Sequence, residues 1–131
     1  MNTIGDAPRH ILRGGENFYL TLNNDGKVAK WNGRDSIVTQ KVYTGKSPRS
    51  MAISPDEAYL YVVNYHSNTL SKISTKEMKV VQKIKTNAKP IGVAFDPVTN
   101  NVWVACYGGS IMLFEEKYER VIDEPKVDQL L

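Results

Sequence analysis

Three markers recur along this chain at a nearly constant step, and that periodicity restricts its fold more than any other feature. Prolines sit in register at Pro8 (APRH), Pro48 (SPRS) and Pro90 (KPIG), 40 and 42 positions apart. Apolar runs at Phe18-Tyr19-Leu20-Thr21, Leu60-Tyr61-Val62-Val63 and Val102-Trp103-Val104-Ala105 step by 42 both times. A third set follows at Val28-Ala29-Lys30-Trp31, Leu70-Ser71-Lys72-Ile73 and Ile111-Met112-Leu113-Phe114. Self-similarity at a fixed period means one supersecondary unit whose copies bury their apolar faces on each other.

Each unit reads as four short strands separated by turn chemistry. In unit one the strands are Arg9 to Leu12, Phe18 to Leu22, Lys27 to Trp31 and Ser36 to Tyr43. Gly14-Gly15, Asn23-Asn24-Asp25-Gly26 and Asn32-Gly33-Arg34-Asp35 separate them, because Gly, Asn and Asp accept positive φ or bond their own backbone. Unit two repeats the plan with Arg49 to Ile53, Ala58 to Asn64, Thr69 to Ser74 and Met78 to Lys85. Unit three has Pro90 to Phe95, Asn101 to Cys106, Ser110 to Phe114 and a weaker fourth strand, Tyr118 to Ile122. The run Ala58 to Asn64 predicts a strand buried on both faces, and Trp31 and Trp103 are expected to pack between units. No segment of ten or more residues carries a helical period.

The predicted architecture is all-β: three four-stranded antiparallel β-propeller blades at about 4–44, 45–86 and 87–125, then a tail at 126–131. Propellers close with roughly four to eight blades, so three form an arc with an apolar face at each end. The sequence predicts either a part of a longer propeller or copies that associate into a ring, since both ends fall where blades would continue.

Composition excludes several partner classes. The formal net charge is +3, from 17 basic and 14 acidic residues, and the lysines are dispersed, so no nucleic-acid footprint is indicated. No run approaches the roughly eighteen apolar residues that suggest a membrane span. The start, MNTIGDAPRH, lacks the charged and apolar regions of a signal peptide. The expectation is a protein that stays inside, or a piece whose leader is missing. The single cysteine, Cys106, forms no disulfide within the chain and, at the end of an apolar strand, is expected to be a small buried hydrophobe.

The stretch PRSMAISPDEAYLYVVNYHSN, Pro48 to Asn68, resembles the YVTN-type β-propeller repeat. Its marks are Ser54-Pro55-Asp56, then Leu60 to Asn64, then Ser67-Asn68-Thr69. Unit three keeps Gly92-Val93-Ala94-Phe95-Asp96-Pro97 but has Cys106 where Asn64 stands; unit one has Leu22 there and no Ser-Pro-Asp. The resemblance implies a bacterial or archaeal envelope or exported protein, in the periplasm or at the cell surface, acting as a binding scaffold. Lactonase-like enzymes and haem-d1-binding domains are neighbouring families, and a structural repeat of a cell-surface protein is a further alternative.

In such a fold the loops between strands two and three, and those between blades, share one face. That face is predicted to carry Arg9, His10, Arg49 and Lys89 near the central mouth, with Tyr65, His66, Tyr107, Asn24 and Asp25 on outer loops. Arg9, Arg49 and Lys89 flank the register prolines, and a positive ring there would suit a carboxylate or phosphate. The candidate ligand-binding residues are therefore Arg9, His10, Arg49, His66, Lys89 and Tyr107. No metal is expected, because His10, His66 and Asp25 follow no ligand spacing. No cofactor is expected either: the haem motif Cys-x-x-Cys-His and a phosphate-binding glycine loop are both absent. Asp56 and Asp96 are expected to bond turn backbone on the opposite face. The reading is a non-catalytic module for a protein, peptide or glycan, with further blades or other copies of itself as additional partners. The alternative is a lactonase-like hydrolase.

Overall fold

A computed structural model describes residues 4–34 and 38–116. Eleven strands fall in chain order: β1 (Pro8–Gly14), β2 (Asn17–Leu22), β3 (Lys27–Asn32), β4 (Val38–Tyr43), β5 (Pro48–Ile53), β6 (Tyr59–Asn64), β7 (Thr69–Ser74), β8 (Lys79–Lys85), β9 (Pro90–Asp96), β10 (Asn101–Cys106) and β11 (Ile111–Glu115). They form three antiparallel meanders, β1-β2-β3-β4, β5-β6-β7-β8 and β9-β10-β11. The fourth strand predicted for unit three, Tyr118 to Ile122, lies outside the described residues. Among the described residues there is no helix.

The blades stack through two apolar layers. Between blades one and two, Tyr19 and Val28 meet Met51, Leu60, Val62 and Ile73. Between blades two and three, Tyr61, Val63 and Leu70 meet Val102, Val104 and Cys106. Strand alternation assigns each residue to one layer or the other. Blade two is covered on both sides, which is why every residue of β6 from Leu60 to Asn64 is buried. The expectation for that strand holds, and its physical cause is its position between two neighbours.

The same alternation corrects the tryptophans. Trp31 pairs with Phe18 across β2 and β3 and stacks on it at 5.6 Å between ring centroids. Val28 and Lys30 take the face toward blade two, so Trp31 takes the other. Trp103 is 42% exposed, because Val102 and Val104 claim the junction. Neither tryptophan packs between two of the described blades.

A backbone device recurs at each register proline. Ala7, Ser47 and Lys89, the residues before those prolines, all have left-handed φ values of 56, 59 and 58°. An L-residue there costs about 1–2 kcal/mol, and one hydrogen bond fixes it in each blade. The amides of Asn23, Tyr65 and Tyr107 donate to the carbonyls of Ala7, Ser47 and Lys89 at 2.8, 2.9 and 2.8 Å. The register of the inner strand then slips just past each proline: between Pro8 and Ile11, between Pro48 and Met51, and opposite Ala105 and Cys106. Bulges of this kind re-aim side chains.

Candidate functional site

The re-aimed residues are the ones that meet. Inner strands β1, β5 and β9 lie side by side, and their bulges deliver Arg9, His10, Arg49, Ser50 and Ile91 to one cleft. Tyr65 and Tyr107 complete its lining, in a space of about 500 Å³. Both tyrosines are anchored there by the hydrogen bonds their backbone amides donate to the carbonyls of Ser47 and Lys89. Arg9, Arg49 and Ile91 are repeat equivalents, each one position after a register proline.

Inside the cleft, Arg49 stacks its guanidinium 3.9 Å over the Tyr65 ring. Its Nε is buried and has no hydrogen-bond partner among the described residues. A buried donor left unpaired is costly, and most such groups are satisfied. His10 is held from two sides. Its amide donates to Thr21 Oγ1 at 2.9 Å, and its Nδ1 accepts from the Met51 amide at 2.8 Å. An amide can only donate, so Nδ1 is unprotonated and Nε2 carries the hydrogen in the neutral ring. Burial lowers the His10 pKa. Thr21 Oγ1 in turn reaches the Arg49 carbonyl at 3.1 Å, tying β2 to β5. Among the described residues, neither Arg9 nor Arg49 forms an ion pair; the pairs there are Arg34–Glu16 and Lys72–Glu116.

The predicted site residues divide into three groups. Arg9, His10, Arg49 and Tyr107 come together in this cleft. Lys89 does not line it: its exposed position precedes a proline, equivalent to Ala7 and Ser47, and its amide donates to Asn68 Oδ1 at 2.8 Å. His66 lies in a separate cleft with Asn24, Asp25, Tyr43 and Lys46, and its Nδ1 is 2.5 Å from Ser47 Oγ. Tyr65, placed on the outer loops by sequence, belongs to the mouth, together with Tyr107. Ile91 and Ser50 were missed; the proline register itself points to them, as equivalents of Arg9 and His10.

Among the described residues no group of three or more His, Cys, Asp or Glu side chains could hold a metal ion. Asp56 bonds Ser54 Oγ and the Ala58 amide at 2.6 and 3.0 Å; Asp96 bonds Thr99 Oγ1 and the Val98 amide at 2.7 and 3.0 Å. Those hydrogen bonds hold both carboxyls below the usual carboxylate range. Cys106 is buried in the second layer. No helix among the described residues is long and apolar enough to cross a membrane.

These sheets and loops define a protein of the β-propeller class, with its blades in an open array. No protein-family model matches the chain, and no curated protein matches it. Among solved structures it is similar to hydrazine synthase of Kuenenia stuttgartiensis, at 26% identity and a TM-score of 0.81, over 88% of this chain and 34% of that one. It is similar to the β-propeller domain of Cps50 (Swd1) from Myceliophteria thermophila, at 16% identity and a TM-score of 0.75, over 84% and 36%. The dihydro-heme d1 dehydrogenase NirN, in complex with DHE, matches at 18% and 0.64, over 85% and 28%. The chain thus spans about a third of these structures. Two of the three are named as enzymes and one as a propeller domain.

Proposed function

We propose that this chain is part of a non-catalytic binding scaffold of YVTN-type propeller blades, which offers its mouth-side loops to a protein, peptide or glycan. The observation behind this reading is the cleft, where side chains from three blades converge and the arginines have no ionic partners among the described residues. Arginine and tyrosine are the residue types that dominate binding hot spots. Further blades, from another copy or a longer chain, would close the ring around that centre. The family resemblance favours the periplasm or cell surface as its place of action.

Lactone hydrolysis is the weaker reading. It requires a converging acid/base pair. Among the described residues the cleft lining supplies one imidazole and no carboxylate. That imidazole has its only lone-pair nitrogen engaged by Met51. Peptide and glycan arrays probed with the labelled chain test the proposal, alongside an Arg9→Ala/Tyr107→Ala double variant. The expected outcome is a set of array positions retained by the parent and lost by the variant, with no turnover of a chromogenic lactone. Turnover abolished by His10→Gln, or array binding indifferent to the double variant, overturns it.

A further inference from the structure

We infer that the mouth cleft takes a carboxylate carried on an apolar, ring-sized body, with Arg49 and Arg9 on the charge and Tyr107 and Ile91 on the body. The inference deepens the proposed function and rests on the cleft being its binding centre. The charge half follows from unused donors. Neither Arg9 nor Arg49 forms an ion pair among the described residues; the Arg49 Nε–H is buried and without a partner among them, so the guanidinium, its plane fixed by stacking on Tyr65, offers a ligand its terminal N–H groups. A planar fork of donors matches the two oxygens of a carboxylate. With Nδ1 of His10 taken by the Met51 amide, its Nε2–H adds a neutral donor from the same lining.

The body half follows from what stands around those donors. Tyr107 is 69% exposed and Ile91 38% exposed. Both belong to blade three, opposite the arginines of blades one and two. The third blade has isoleucine at the position where the first two have arginine, so the mouth is charged on one side and apolar on the other. A bare inorganic anion would satisfy the first side and leave the second unfilled. An apolar carboxylate satisfies both, and the space of about 500 Å³ accommodates an aromatic ring. Two sources share this chemistry: a small aromatic acid and the C-terminus of a chain ending in an apolar residue.

The full chain is titrated by NMR with four probes: benzoate, benzamide, inorganic phosphate and a short peptide ending in phenylalanine with a free carboxylate. Saturable shifts at Tyr65 and Tyr107 with benzoate or the peptide, and none with benzamide, are expected. Arg49→Gln is expected to weaken that binding about tenfold or more, the scale of a lost charge-assisted hydrogen bond. Arg9→Ala, at an exposed position, gives the same direction should the Arg49 variant fail to fold. Tighter binding of the peptide assigns a chain terminus; tighter binding of benzoate assigns a small acid. Either supports the inference. No saturable shift with either carboxylate, benzamide equal to benzoate, or phosphate as tight as benzoate overturns it. Array binding that persists through such a failure leaves the scaffold reading standing, and loss of both removes both.

Discussion

Asn64 shows how much one side chain can hold in this fold. It is fully buried, and its Nδ2 lies within reach of the Thr44 carbonyl, Thr69 Oγ1 and Ser71 Oγ at 3.2, 3.0 and 3.1 Å. It packs so tightly on the chain entering blade two that a Cβ on Gly45 would come within 2.7 Å of it. Asn64→Ala leaves those buried acceptors short of a donor, so a loss of about 1–3 kcal/mol is expected in urea unfolding. His10 gives a pH signature. Its folded pKa lies below the ordinary 6.5, so below about pH 6.5 the unfolded chain binds a proton that the folded chain refuses. That contribution to stability is present above 6.5 and lost as pH falls toward the folded pKa. Thermal unfolding measured between pH 7.5 and 5 is expected to show this decline, and His10→Gln to flatten it. An identical slope in the variant assigns the decline to other groups.

At the scale of the blade, the junction between blades two and three carries a buried ion pair. Lys72 on β7 pairs with Glu116 at 2.8 Å, and Glu116 also accepts from Tyr61. Glu116 is buried, its Oε1 has no partner among the described residues, and the Lys72 ammonium sits 4.3 Å from the Tyr59 ring. Removing one member of a buried pair strands the other charge and costs about 3–5 kcal/mol, whereas replacing both is often near neutral. Lys72→Met is therefore expected to destabilise strongly, and Lys72→Met/Glu116→Leu to recover most of the loss, read as a double-mutant cycle. Additive losses would mean that the two groups act separately. Such a pair was not legible in the sequence, since it joins positions 44 apart in different units and at non-equivalent strands. The eleven described strands and their order were legible, because period, turn residues and alternation all point the same way. The arginines of the mouth were legible from the prolines. Lys89, grouped with them because it also borders a proline, does not line the cleft: it stands on the side of the proline where backbone conformation, and not side-chain direction, is set.

For the molecule as a whole, the outcome of stacking is two end faces that no other described blade covers. Blade one turns Ile11, Phe18, Leu20 and Trp31 away from blade two; blade three turns Trp103, Ile111 and Leu113 away from it. Ile11, Trp103, Ile111 and Leu113 are 54, 42, 69 and 48% exposed. Contiguous apolar surface of this sort drives association. Trp103→Lys/Leu113→Lys is expected to raise the monomer fraction of the chain in light scattering, with unchanged circular dichroism. A parent that is already monomeric at every concentration contradicts this. The bulges at the register prolines carry a different consequence. Main-chain bonds from residues 23, 65 and 107 hold the loops and demand no particular side chain there. The adjoining position holds Arg, Arg and Ile in turn. Gaining or exchanging one unit would therefore change one side chain of the cleft lining while the backbone plan of the fold stays intact, so under the proposed function recognition changes in steps of a single blade.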